Sequence, residues 1–152
     1  MKTELNDFIV RAKQATYVGG GGKTSSSRPG SHDLCFEEGD WAYRDSYFGG
    51  TDFLGQEVVW LKGEPVWVMN YYGYILRPDL IDGQRGAETI QLALSQMYAE
   101  GRFLGGFVFE GPHGRYVDFS NGDVAHFSGR EEIYVGDVIA YALDYHGGFV
   151  KP

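Results

Sequence analysis

Apolar residues recur along this chain with two different periods. Near the N-terminus Leu5, Phe8, Ile9 and Ala12 fall at i, i+3, i+4 and i+7, which lays one apolar stripe along a helix. Thr3 is placed to cap its start, Asp7 suits the positive end of the dipole, and the glycines at 19–22 end it. Ile90, Ala93, Leu94, Met97 and Tyr98 form a second stripe and predict a helix from about Ala87 to Glu100, stopped by Gly101 and Arg102. Its lead-in from Arg77 to Gly86 reads as a connecting loop. Elsewhere the period is two. Trp41 to Phe48 sets Trp41, Tyr43, Asp45 and Tyr47 on one face, and Gln56 to Leu61 joins Val66 to Ile75 through Lys62-Gly63-Glu64-Pro65. Phe103 to Glu110, Tyr116 to Phe119, Glu131 to Val135 and Val138 to Tyr145 complete the strands. Neighbouring strands without intervening helices predict an α+β fold with a mainly antiparallel sheet and two helices, in one domain over residues 1–152.

The pattern also repeats. Gly55–Pro78 lies over Gly129–Pro152 at an ungapped offset of 74 residues, with five of 24 positions identical, including Gly55/Gly129, Glu57/Glu131 and Tyr71/Tyr145. Tyr43-Arg44-Asp45 matches Tyr116-Val117-Asp118 after a one-residue slip. The expectation is two helix-plus-four-strand units, residues 1–78 and 79–152, cystatin-like α-β4 repeats with pseudo-twofold symmetry. Such units create a shared cleft, and ligand sites favour such seams. Trp67, Met69 and Tyr71 should face the helix; Asn70, Tyr72, Asp144 and His146 should look away from it, into that cleft.

Composition narrows the function more than the fold. Lys and Arg total 13 against 21 Asp and Glu, a net charge of −8, which disfavours a sequence-independent grip on nucleic acid. The lone Cys35 permits no internal disulfide and fits the cytoplasm, and no run approaches the length of a membrane span. The run from Tyr17 to Thr24 nearly spells a phosphate-binding loop, but no helix N-terminus follows it; it reads as a Gly/Ser flap.

Several residues are candidates for chemistry. His32 beside Asp33, and Asp144 with His146, are each suited to a histidine base oriented by a carboxylate, with Asp52 or Glu57 as the second acid–base group. In each case the bland alternative is a polar pair serving the backbone or a hydrogen bond. Tyr43, Asp45, Tyr47, Asn70, Tyr71 and Tyr72 join carboxylates to aromatic faces, the means of gripping a polar or cationic ring; Arg130 and Glu131 suit an anion or a salt bridge. The histidines show no metal-ligand spacing, and nothing points to a cofactor.

SRPGSHDL (27–34), DSYFGGTDFLGQEVVW (45–60), NYYGYILRPDLI (70–81), RFLGGF (102–107), FSGREEI (127–133) and LDYHGGFVK (143–151) resemble a bacterial and archaeal family of domains of unknown function. That family occurs alone or fused behind helix-turn-helix regulators of the XRE type. The resemblance implies ligand sensing or partner binding and supplies no catalytic residues. The stretch before the first glycine is too short for a helix-turn-helix, so direct contact with nucleic acid is not expected. The leading expectation is a small-molecule-binding domain with an aromatic and acidic pocket. The alternatives are a small hydrolase or isomerase, and an interaction domain that buries an aromatic sheet face in a homodimer.

Overall fold

The computed structural model describes residues 1–152. Its elements are α1 (Lys2–Lys13), β1 (Lys23–Thr24), β2 (His32–Glu38), β3 (Trp41–Gly49), β4 (Phe53–Leu61), β5 (Glu64–Ile75), α2 (Gly83–Ala99), β6 (Phe107–Glu110), β7 (Arg115–Asp123), β8 (His126–Val135) and β9 (Val138–Phe149). The strands form one nine-stranded antiparallel sheet in the order β1-β2-β3-β4-β5-β9-β8-β7-β6, so two meanders join through the last strand of each. The fold is α+β. No helix is long and apolar enough to cross a membrane.

Both helices lie on one face of the sheet. Leu5, Phe8, Ile9 and Ala12 of α1 and Ile90, Ala93 and Met97 of α2 are buried against it, as the two stripes require. Phe8 packs on Phe36 and Trp41 at centroid distances of 5.7 and 5.4 Å. The central aromatic cluster is built on Trp67, which stacks on Phe127, meets the edge of Phe103, and donates its indole N–H to the Val124 carbonyl at 3.0 Å. That bond satisfies the one polar group a buried indole carries.

The helix boundaries differ from the expected ones for local reasons. In α1 the chain is already helical at Lys2, so Thr3 lies inside the helix, and a five-residue π turn (Gln14–Val18) carries it on to the glycines. In α2 the helix starts four residues before Ala87, because the Asp82 carboxylate accepts from the Arg85 N–H at 2.8 Å and caps it. Gly83 and Gly86 therefore belong to the helix despite their low propensity. Phe103 to Gly106 are not strand: Gly105 and Gly106 take φ of +99° and +84°, and Arg102 donates to the Leu104 and Gly106 carbonyls, folding the segment so that Phe103 enters the core.

The Gly/Ser segment is tied down on the other face of the sheet. Asp33 Oδ1 accepts from the Ser31 hydroxyl at 2.7 Å, the Ser46 hydroxyl at 3.1 Å and the Ser27 N–H at 3.3 Å, while Arg28 covers the Phe48 ring at 4.8 Å. Burial alone would raise the Asp33 carboxyl, but these hydrogen bonds prevail and lower it to about 2.

Candidate functional site

Alternation along β3 turns Tyr43, Asp45 and Tyr47 toward the helices, and the register sets Asp45 directly across from Glu57. In the other meander Asp118 stands across from Glu131 in the same way. Like charges paired across a ladder repel, so each pair needs partners. Tyr71 donates to Asp45 at 2.6 Å and Tyr145 to Asp118 at 2.7 Å. Glu57 accepts a short hydrogen bond from Tyr43, and the Lys13 ammonium lies 2.8 Å from both its carboxylate oxygens. Lys13 and Glu57 are both buried, and the ammonium also lies 5.5 Å from the centre of the Phe103 ring.

Two glycines make room for the tyrosines. A Cβ on Gly55 would run into the Tyr71 ring, and one on Gly129 into the Tyr145 ring. Because the hydroxyl of Tyr145 is fixed on Asp118, the ring cannot swing aside. Gly129→Ala is expected to cost about 1–3 kcal/mol through overpacking, read from the midpoint of urea unfolding. A change within experimental error would show that the Tyr145–Asp118 pair does not fix the ring.

Glu131 is the least compensated of the four carboxyls. Its Oε2 is buried with no hydrogen-bond partner, and so are Asp118 Oδ2 and the hydroxyls of Tyr116 and Tyr141. Burial pushes the Glu131 carboxyl up to about 8, with Asp118 adding repulsion and the neighbouring Tyr116 hydroxyl and Lys13 ammonium only partly opposing it. Asp45 is raised by burial and by Glu57, and Asp118 is raised by burial to about 6. Tyr43, Tyr98, Tyr116 and Tyr141 are pushed up by burial and by these neighbouring carboxyls, so their hydroxyls stay protonated.

A cavity of about 280 Å³ opens between α2 and β3–β5, close to the lower end of ordinary ligand sites. Its floor carries Tyr43, Asp45, Glu57, Tyr71, Glu131 and Tyr141; Ile90, Leu94 and Tyr98 of α2 roof it, and Lys13 and Tyr17 close its inner side. The exposed Gly49, Gly50 and Thr51 border it beside Gly83, Ala87 and Gln91. Small residues on both edges keep the space open.

The structure brings together five of the residues expected to bind a ligand (Tyr43, Asp45, Tyr47, Tyr71 and Glu131), together with Glu57 from the acid–base set. The others lie elsewhere. Asn70, Tyr72, Asp144 and His146 do point away from the helices, but on that outer face all four are exposed, and the cavity lies on the inner one. There Asn70 bridges Gln56 and His146, Tyr72 meets the edge of Tyr74, and Arg130 pairs with Asp144 and Glu132. His32 stands against the Tyr47 ring at 5.0 Å, while Asp33 points to the opposite face, as neighbours on a strand must; the two form no dyad. Asp52 accepts from the Ile75 N–H at 2.9 Å and orders the backbone. None of the four histidines lines the cavity, and no group of three or more His, Cys, Asp or Glu side chains is placed to hold a metal ion.

Lys13, Tyr17, Tyr98 and Tyr141 line the cavity without being among the residues the sequence suggests for a site. A signal existed for Lys13: it continues the stripe Leu5–Ile9 by one further turn, where a charge is out of place. No curated protein and no solved structure matches the chain. Residues 45–150, which include all four paired carboxyls, match the family described as a domain of unknown function, DUF5680, and the chain belongs to that family.

Proposed function

We propose that this chain is a small-molecule-binding domain whose ligand occupies the cavity between α2 and β3–β5. The observation that carries this reading is a cavity lined by Glu131 and Tyr141, each of which carries a buried polar atom, Oε2 and the hydroxyl, with no well-formed hydrogen bond in the protein. Unpaired buried polar groups are costly, and a bound molecule that pairs with them recovers that cost. Resemblance to domains fused behind regulators favours a sensing role, in which occupancy is passed to a neighbouring module.

The same reading takes the chain as two cystatin-like α-β4 units. It is supported by irregular registers at Val59/Trp60 and Ile133/Tyr134, the same 74 residues apart, and by the matched pairs Tyr71–Asp45 and Tyr145–Asp118. The units differ where it matters. Phe53 borders the cavity and Tyr71 lies beside it, whereas their counterparts Phe127 and Tyr145 are buried with Trp67 and Phe103. One of two equivalent spaces is open and the other is filled by aromatic rings.

A second reading, a small hydrolase or isomerase, is favoured by the raised Asp45 and Glu131, which are suited to exchange protons near neutral pH. Its acid–base set is then carboxyl and tyrosine rather than histidine.

Gly86 provides the test. It sits inside α2, lines the cavity, and an added Cβ would meet only Ile75 Cδ1, at an ordinary 3.8 Å. Gly86→Ala is therefore expected to stabilise the protein by about 0.5–1 kcal/mol, read from thermal or urea unfolding. Gly86→Leu should fold as well and fill the cavity edge. In a thermal-shift screen against a metabolite library, molecules that stabilise the wild type should leave Gly86→Leu unchanged. Stabilisation of both proteins alike, or of neither by any molecule, would overturn the reading.

A further inference from the structure

We propose that the group recognised in this cavity is a protonated amine, seated between the Glu131 and Asp45 carboxylates and walled by tyrosine rings. The inference rests on the cavity as binding site and adds the chemical class of what binds.

Asp45, Glu57, Asp118 and Glu131 are all inward-facing and buried, and Lys13 is the only lysine or arginine among the buried residues. Lys13 is spent on Glu57, whose two oxygens it reaches at 2.8 Å. The remaining three carboxyls have only neutral partners: Tyr71 donates to Asp45, Tyr145 donates to Asp118, and the Tyr116 hydroxyl stands beside Glu131, whose Oε2 makes no well-formed hydrogen bond. The site as built lacks a cation.

The helices show where that cation is missing. Buried positions Leu5, Phe8, Ile9, Ala12 and Lys13 of α1 correspond, 85 residues on, to Ile90, Ala93, Leu94, Met97 and Tyr98 of α2. Glu57 and Glu131 correspond through the strand repeat. Thus Glu57 receives an ammonium from its helix, while the matching position over Glu131 carries Tyr98. Both Glu131 and Tyr98 line the cavity. The Lys13 ammonium, held by a carboxylate and an aromatic face, is an internal example of the environment offered to a free amine on the other side. The cavity volume of about 280 Å³ limits that amine to a small one.

Binding of a cation would draw the proton from Glu131, so affinity should be linked to pH. The groups that act on this carboxyl through the shared interior are Lys13 of α1, Tyr17 of the π turn, Glu57 of β4, Tyr98 of α2, Tyr116 and Asp118 of β7, and Tyr141 and Tyr145 of β9; Asp45 of β3 lines the same cavity. The tyrosines stay neutral over the physiological range, and Lys13 stays with Glu57. The carboxyls therefore carry the pH dependence.

Isothermal titration of the full chain with benzylamine, tyramine and putrescine, against neutral benzyl alcohol and anionic benzoate, tests this. At least one amine should bind, more tightly as pH rises from 6 to about 8, with protons released to the buffer at pH 7. Glu131→Gln, and separately Asp45→Asn, should weaken that amine roughly 10- to 100-fold. If benzyl alcohol or benzoate binds as tightly as the amines and Gly86→Leu abolishes that binding, the amine class is overturned and the cavity stands. If an amine binds Gly86→Leu or Glu131→Gln as it binds the wild type, it sits elsewhere and the proposal fails. Failure of all three amines at every pH also overturns it, whatever the metabolite screen finds.

Discussion

Lys13→Met is expected to lower the unfolding free energy by about 3–5 kcal/mol, measured by urea denaturation at pH 7. Methionine replaces the apolar stem of Lys13, so the substitution removes the ammonium without opening a large void. What remains is Glu57, buried, across the ladder from Asp45, and holding only the Tyr43 hydroxyl. The cost is that of a buried charge stripped of its counter-ion rather than the net value of the ion pair. Glu57→Gln in the Lys13→Met background should therefore recover most of the loss. A single variant weakened by less than about 1 kcal/mol, the range of exposed ion pairs, would mean that water reaches Glu57. A double variant no more stable than the single one would mean that Lys13 acts through packing alone.

The second large effect is in the response to pH. In the folded chain Glu131 is raised to about 8 and Asp118 to about 6, with Asp45 raised as well, so each binds its proton more tightly folded than unfolded. Between the ordinary carboxylate range near 4 and these folded values, the native state holds more protons, and stability falls as pH rises. Their stabilising contribution is complete below the unfolded values and is lost through pH 6 to 8. Asp33 has the opposite sign: lowered to about 2, it stabilises above about 4 and loses that contribution as pH falls toward 2. The melting temperature of the ligand-free protein should accordingly peak near pH 4–5 and decline toward pH 8. Glu131→Gln should flatten the decline and raise stability at pH 8 by on the order of 2–4 kcal/mol, because a neutral amide needs no counter-ion. A melting temperature that is level or rising from pH 5 to 8 would contradict the burial of these carboxyls.

Much of the architecture was legible because period-two and period-3.6 patterns survive in an aromatic-rich sequence. The apolar stripe at 90, 93, 94, 97 and 98 and the alternation over Trp41 to Phe48 reach their expected faces almost unchanged. What failed to show were features decided by one side chain acting at a distance. Asp82 starts α2 across glycines that argue against a helix, and Arg102 holds Leu104 and Gly106 out of a strand. The site was half legible for the same reason. Alternation identifies Tyr43, Asp45, Tyr47 and Tyr71 as sharing a surface, and the offset of 74 ties Glu57 to Glu131. Which face of the sheet holds the cavity depends on how closely α2 approaches it, through Gly83 and Gly86, and that is a property of packing. The polar set on the outer face reads, by sequence, like a site; its members answer one another or the solvent.

The join between β5 and β9 ties the two meanders together. Trp67 to Ile75 lie along Tyr141 to Phe149 in unbroken register, in the middle of the sheet, while the rims end in the two-residue β1 and the four-residue β6. Short outer strands give neighbouring molecules little backbone to copy, which guards against end-to-end stacking into fibres. Either half taken alone would present nine residues of bare ladder instead. Neither meander is self-sufficient, and the molecule should come apart in a single cooperative step, each half lending the other the edge it lacks.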